Sequence, residues 1–257
     1  MSGVSLPTFF RPIVRGTVGS TNEELKRYAR AGAEEGTLVV AERQTAGRGR
    51  RGRDWISPAG NLYASLLLRP GQPAGEALQV SFVAAVAVAE AAASCLPPTA
   101  DVRCKWPNDV LVDGRKVAGL LLESEADDRG GLAWLIVGVG VNIVSFPPLD
   151  DAAYPATSLL EAGAAAIDAA DLLSAFGAAF LTWHRRWQTE GFSPLRAAWR
   201  QRAAGLGEII TVRLESETVS GTFLDIDADG ALRLGQAAHG VRRITAGDVF
   251  LKPAVVP

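Results

Sequence analysis

The sequence predicts an α+β protein, a mixed β-sheet flanked by helices followed by a small all-β module. Three observations carry this expectation. Apolar, β-branched runs of strand length follow one another without a regular strand–helix–strand rhythm, and Asp113-Gly114 joins two of them as a two-residue hairpin. From "GLGE" at residue 205 onward the chain offers short strands and turn residues only. The 257 residues suffice for one large domain and a small one, placed at 1–204 and 205–257.

The elements follow in order. "STNEELKRYARAG" starts a helix with Ser20 or Thr21 as N-cap, carries Glu23 and Glu24 in its first turn, and stops at Gly32. "GTLVVAERQ" and "NLYASLLLR" read as strands, the second closed by Pro70. Residues 74–96 form a long Ala/Val helix, read as buried; Glu90 interrupts it, and it is expected to be too short to span a bilayer. "DVRCKW" is a strand, "VLVDGRKVAGLLLESE" a hairpin, and "AWLIVGVGVNI" a buried strand whose glycines permit close approach. The Pro-rich, acidic stretch 144–158 is a loop. Helices are expected at about 171–190 and 192–204. Turns at Gly221 and at Asp229-Gly230 divide the last module, whose size suits an SH3-like barrel.

Composition narrows the function. A net charge of −2 supplies no global field to recruit nucleic acid or acidic lipid, so any functional positive charge is local. Two cysteines, Cys95 and Cys104, make no disulfide framework and no paired metal motif, which points to reduced thiols in the cytoplasm. No basic segment followed by a long apolar run opens the chain, so no signal peptide is read. His184 and His239 lie far from the motifs below, which argues against a Ser-His-Asp triad or a zinc site. Only four of the 26 basic residues are lysines, and Lys105 and Lys116 flank one short motif.

"TAGRGRRGRDW", residues 45–55, concentrates Arg48, Arg50, Arg51 and Arg53 among Gly47, Gly49 and Gly52. It contains G-x-G-x-x-G, but a dinucleotide site needs a helix to start there, and Pro58, Gly60 and a strand follow instead. A nucleic-acid reading fits the composition of "RGRRGR" but not its place between two core strands of a mildly acidic chain. A solvated basic loop is the plain alternative. A phosphate-closing loop accounts for both residue types: glycine lets backbone N–H groups converge on an anion, and guanidinium binds its oxygens in pairs. Like charges this close should keep the loop unfolded until an anionic ligand orders it as a lid.

The second motif, "KWPNDVLVDGRKVAG", brings Lys105, Asn108, Asp109 and, across the hairpin, Lys116 toward one place. Two ammonium groups, an amide and a carboxylate suit nucleotidyl transfer with magnesium; a turn around a buried Trp106 is the plain alternative.

The blocks "STN", "ERQTAGRGRRGRDWISPAGNLYASLLL", "KWPNDVLVDGRKVAGLLLE", "GVGVNI" and "ATSL" stand in the order found in biotin–protein ligases. The resemblance runs from about residue 17 to 250, and the pair of long blocks is specific. It implies a class II synthetase-like catalytic domain with a C-terminal SH3-like barrel, and ATP, biotin and Mg2+ as cofactors. In the implied reaction the biotin carboxylate attacks the α-phosphate of ATP, giving biotinyl-5′-AMP and pyrophosphate. A lysine of a biotin carboxyl carrier protein or carboxylase domain then takes the biotinyl group and AMP leaves.

By this resemblance Lys116 lies between the biotin carboxylate and the α-phosphate and, with Arg50 and Asp109, is assigned to catalysis. Ser20, Thr21, Gln44 and the backbone around Arg48 and Arg50 bind biotin; Asn22 and Gly49 belong to the same blocks. Arg53 contacts phosphate, Lys105 and Asn108 line the site, and Asn142 lies on the nucleotide side. Asp109 orients the acceptor lysine or helps carry Mg2+; no further metal ligand is assigned. Trp55 packs on the ligand or fills core, Trp106 fills core, and the loop 144–158 orders over adenine. Some members carry an N-terminal DNA-binding domain; "STN" starts here at Ser20, so the short form is expected, with no nucleic-acid and no membrane partner and a possible homodimer. Gly19 stands where several members have an acidic residue, which leaves the helix cap open. Two rivals are a lipoate or octanoate ligase or transferase of related fold, which does not need the arginine-glycine block, and an RNA-binding protein built on "RGRRGR".

Overall fold

A computed structural model describes residues 4–71, 74–128, 131–147, 155–237 and 239–251. Two sheets share one continuous hydrophobic core. The larger has seven strands: β1 (Arg11–Val18), β2 (Thr37–Gln44), β3 (Leu62–Leu68), β4 (Val102–Lys105), β5 (Asp109–Val112), β6 (Arg115–Ala126) and β7 (Leu132–Val141), in spatial order β1-β2-β3-β7-β6-β5-β4. Only β1 and β2 are parallel; every other neighbouring pair is antiparallel, so the sheet is mixed as expected. Asp113 and Gly114 both adopt positive φ, 49° and 73°, which matches the right-handed twist of a two-residue hairpin.

Alternation along the strands decides which layer each side chain enters. Leu38, Val40, Leu66, Leu68, Leu135, Val137 and Val139 face the main core. Their neighbours Val39, Leu67, Trp134 and Ile136 face the other side, where Leu25 and Ala29 of α1 (Thr21–Arg30) close a smaller core. Gly138 and Gly140 fall on that second face. α1 thus covers only part of it, and the uncovered part becomes the floor of the cleft described below.

Helices cover the main face. α2 (Ala74–Ala77) is one short turn, and α3 (Val80–Cys95) is apolar but for Ser81, Glu90 and Ser94 and mostly buried, as suits a helix between a sheet and other helices. The expected single helix breaks before Val80, where Gln79 accepts from Trp187 Nε1 at 2.9 Å and donates to Ala228 O at 3.3 Å. By length and composition alone the segment Gly75–Cys95 could cross a bilayer, which corrects the expectation that it is too short. Packing is the better argument for its place: most of it is buried between the sheet and α4 (Ala169–Glu190). Asp168 caps α4 through two backbone N–H groups. α5 (Phe192–Gln201) follows after Gly191.

The second sheet holds β8 (Ile209–Arg213), β9 (Thr218–Ile226), β10 (Leu232–Gln236), β11 (Gly240–Ile244) and β12 (Asp248–Leu251), all antiparallel, in order β11-β10-β9-β8-β12. Asp229-Gly230 makes a turn, with Gly230 at φ 85°. Gly221 does not: it lies inside β9, where a Cβ would come within 2.4 Å of Gly235 O. Trp106 ties the sheets together from its buried position, donating Nε1 to Gly230 O at 3.0 Å. Phe82, Trp199 and Phe223 pack edge-on around the same junction.

His184 sits in α4 stacked on Phe180, and burial lowers its pKa from 6.5 to about 4. The unfolded chain therefore binds more protons between those values, and stability falls as pH drops from 6.5 toward 4. At the bottom of that window the loss is about 3 kcal/mol. His184→Phe should flatten the slope in denaturant titrations across this range; an unchanged slope would place the acid sensitivity elsewhere.

Candidate active site

One cleft of about 610 Å3 opens over the glycine face of the large sheet and beside β12 of the small one. Every residue assigned from sequence lines it: Ser20, Thr21, Asn22, Gln44, Arg48, Gly49, Arg50, Arg53, Lys105, Asn108, Asp109, Lys116 and Asn142.

One end is neutral and hydrogen-bonding. Ser20, Thr21 and Asn22 enter it from the start of α1; Ser20 is extended at the N-cap and makes no side-chain cap bond. Thr21 donates through its backbone N–H and its hydroxyl to Gln44 Oε1, at 2.8 and 3.1 Å. Gln44 Nε2 donates to Ser57 Oγ at 2.9 Å. Trp55 lies on the floor because glycine leaves room for it: a Cβ on Gly140 would be 2.6 Å from its Nε1, and one on Gly119 2.9 Å from its ring. Its buried indole N–H has no partner among the described residues.

The other end is ionic. Asp109 is buried and receives Lys105 Nζ at 2.9 Å and Lys116 Nζ at 2.6 Å. Burial by itself raises its pKa; the fields of Lys116 and Lys105, with a hydrogen bond from each, outweigh burial and hold the carboxyl well below its ordinary range. Burial is the larger effect on Lys105 and pulls its pKa down, against the opposing pull of Asp109. Lys116 Nζ also lies 5.3 Å from the centre of the Trp55 ring, so it stands between the two ends of the cleft.

The arginine-glycine segment closes the side. Arg51 and Gly52 both take positive φ, 55° and 72°, inside a short 3-10 turn. Gly47 is tight: a Cβ would meet Trp55 O at 2.3 Å. The four arginines do not simply repel one another. Arg53 donates to Asp248 Oδ1 at 3.0 Å, and Arg50 and Arg51 lie 3.9 and 3.7 Å from the same carboxylate. Arg50 also donates to Asn108 Oδ1 and Gly247 O, at 3.3 and 3.2 Å, and burial lowers its pKa. Arg48 turns the other way, to Glu23 and Glu123. These carboxylates stand where they reduce the repulsion among the arginines.

Asn142 is buried and donates to Thr157 O at 3.0 Å. Of the loop 144–158, residues 148–154 lie outside the described residues. The sequence reading missed Arg213, Asp248 and Phe250, which line the cleft from the small sheet. It also missed Glu123, whose signal is its place on the Gly119-Leu121-Glu123 face of β6.

Comparison with known proteins gives the same picture over most of the length. Residues 17–142 match the Biotin/lipoate A/B protein ligase family and residues 205–252 the Biotin protein ligase C terminal domain. A biotin–[acetyl-CoA-carboxylase] ligase of Paracoccus denitrificans is 43% identical over 234 residues, covering 90% of this chain and 96% of that protein. A bifunctional ligase/repressor of Bacillus subtilis is 36% identical over 242 residues, covering 93% of this chain and 73% of that one. The fold superposes on the biotin protein ligase from Aquifex aeolicus in complex with biotin and ATP with a TM-score of 0.79 at 29% identity, covering 93% of this chain and 97% of that one. The chain belongs to the biotin/lipoate A/B protein ligase family and, within it, to the biotin protein ligases.

Proposed function

We propose that Lys116, Asp109 and the loop arginines divide between them the two half-reactions of a biotin ligase. The chain activates biotin with ATP to biotinyl-5′-AMP and transfers the biotinyl group to a lysine of a biotin-accepting carboxylase subunit. The observation that carries the division is the Lys105–Asp109–Lys116 bridge, set between a neutral hydrogen-bonding pocket and a cluster of guanidinium groups.

In the first step a carboxylate oxygen of biotin bonds to the α-phosphorus and the bond to the bridging oxygen breaks, releasing pyrophosphate. Two anions must approach, and in a cleft of low dielectric that is costly unless cations stand between them. Lys116 is placed to do this at the junction, and Arg50, Arg51 and Arg53 to take the departing pyrophosphate. Asp109 holds both ammonium groups in position. Held so far below its ordinary range, it is a weak base and acts by orienting. Ser20, Thr21 and Gln44 pair with the ureido group of biotin, which offers two N–H donors and a carbonyl acceptor. In the second step the acceptor lysine attacks the acyl carbon and AMP leaves.

Magnesium has few protein partners in this cleft. Among the described residues no three His, Cys, Asp or Glu side chains come together, and both oxygens of Asp109 are taken by lysines. The ion would be held by the phosphates of ATP, where it would neutralise charge, and none of the roles above depends on it. The catalytic unit is 1–204 and the SH3-like module 205–257, with Asp248 as the link from the second to the first. The unpaired thiols Cys95 and Cys104 fit the cytoplasm. A homodimer is one possible assembly, with no nucleic-acid or membrane partner expected, and sedimentation with and without biotin tests it.

Biotin-dependent exchange of pyrophosphate into ATP, with lipoate and octanoate as controls, tests the reading. Exchange with lipoate and none with biotin would overturn it. A second expectation concerns the arginine segment: trypsin should cut after Arg48, Arg50, Arg51 or Arg53 more slowly once biotin and ATP are present. Equal rates would remove ligand-ordered closure.

A further inference from the structure

We infer that Glu123 is a positioning residue that fixes the hydrogen-bonding side chains at the biotin end of the cleft. The inference rests on the assignment of Thr21 and Gln44 to biotin made above.

Glu123 lies on β6 at the edge of the cleft, with its side chain 18% exposed. Its two oxygens have separate tasks. Oε2 accepts from Asn22 Nδ2 at 2.8 Å; Oε1 accepts from Lys26 Nζ at 2.6 Å and from Arg48 Nη2 at 3.3 Å. Asn22 is buried, and a carboxylate can only accept, so its amide cannot turn over without placing Oδ1 against Oε2. Asn22 Oδ1 is thereby fixed toward Ser65, whose hydroxyl donates to it at 2.5 Å.

The orientation then passes on. Ser65 Oγ carries one proton and offers it to Asn22 Oδ1 at 2.5 Å and to Thr21 Oγ1 at 2.8 Å. Thr21 Oγ1 gives its own proton to Gln44 Oε1 at 3.1 Å. Its proton spent on Gln44, Thr21 Oγ1 turns only lone pairs to the cleft and becomes an acceptor for an N–H of the ligand. Gln44 Oε1 is occupied by the Thr21 backbone N–H, which fixes the Gln44 amide as well. One charged group at the rim therefore fixes Asn22 and, through it, the Ser65 hydroxyl against which Thr21 rests. The same carboxylate also accepts from Arg48, whose nearer partner is Glu23.

A plain surface ion pair would look different, and one is present for comparison. Glu125, two residues on and on the same face of β6, pairs with Arg30, one turn farther along α1. Both partners are far more exposed, and Glu125 bonds to nothing in the cleft.

Steady-state pyrophosphate exchange on the full chain tests this. Glu123→Gln, nearly isosteric, should raise KM for biotin about tenfold or more, because a charged acceptor for a buried amide is lost, and leave KM for ATP and kcat within about twofold. Glu125→Gln should change none of these. In an Asn22→Ala background Glu123→Gln should add little, since the effect runs through Asn22. If Glu123→Gln does not fold, Glu123→Asp keeps the charge for Lys26 and withdraws it from Asn22, and the same split is expected. An unchanged biotin KM, an equal rise in both KM values, or full additivity with Asn22→Ala would overturn the inference while leaving the ligase reading intact. Absence of biotin-dependent exchange in the unaltered protein would sink both.

Discussion

Lys116→Ala should lower the rate of biotinyl-5′-AMP formation by about 100- to 1000-fold, the usual effect of removing one preorganised charge-stabilising group. The reason is positional. Lys116 is the cation between the neutral pocket and the arginine cluster, and its side chain is about a quarter exposed, so it faces the reactants as well as Asp109. Stability should change little, because Asp109 keeps Lys105 at 2.9 Å and no buried charge is orphaned. The outcome should show in kcat more than in KM, since the interaction strengthens as charge gathers between the carboxylate and the α-phosphate. Lys116→Arg should not restore the rate: a planar fork cannot occupy the place of a compact ammonium bridging Asp109 and the Trp55 face. Single-turnover quench with radiolabelled ATP separates this step from transfer. Retained adenylation in Lys116→Ala would show that the charge is supplied elsewhere.

What could be read from sequence was what is local. The hairpin at Asp113-Gly114 carries its own turn chemistry, and it brings Lys116 back beside Asp109 without any knowledge of the rest of the fold. The glycines of "GVGVN" announce close approach, and Gly138 and Gly140 do face Asn22 and Trp55. β1 was not legible. It has Pro12 and Gly16 and a mostly exposed face, and its strand character comes from pairing with β2. Arg11 N–H donates to Gly36 O, so the pleat points the Pro12 nitrogen, which has no hydrogen, at the open edge. Asp248 was not legible either, for another reason. It is a lone acid in an ordinary β-run, and what gives it meaning is a contact with Arg53 across 195 residues of chain. The basic half of the site advertises itself because its charges are clustered in sequence; the acidic half, Glu23, Glu123 and Asp248, is assembled only by folding.

Asp109→Asn should be damaging in two separable ways. The first is stability. Lys105 is 6% exposed, and its counter-charge at 2.9 Å would become a neutral amide. Lys105 would keep Val249 O at 3.5 Å and lose the counter-charge, a loss that costs a buried ion up to about 3–5 kcal/mol. Burial already lowers the Lys105 pKa, and without the carboxylate it should fall further. The sign of the pH dependence follows. Where its folded pKa lies below the unfolded value of about 10.4, the unfolded state binds the extra proton, and stability rises with pH across that window. The variant should therefore recover part of its lost stability between neutral and alkaline pH, more steeply than the unaltered chain. At acid pH the contrast reverses. The unaltered protein loses the contribution of Asp109 as pH falls below the ordinary carboxylate value, because its folded pKa is depressed, and the variant has no such contribution to lose. The second effect is catalytic: Lys116 loses its 2.6 Å anchor, and adenylation should drop even where the variant is folded. Urea titrations from pH 6 to pH 10, paired with exchange assays at each pH, separate the two. A stability difference that does not vary with pH would mean that Lys105 is not the group left unbalanced.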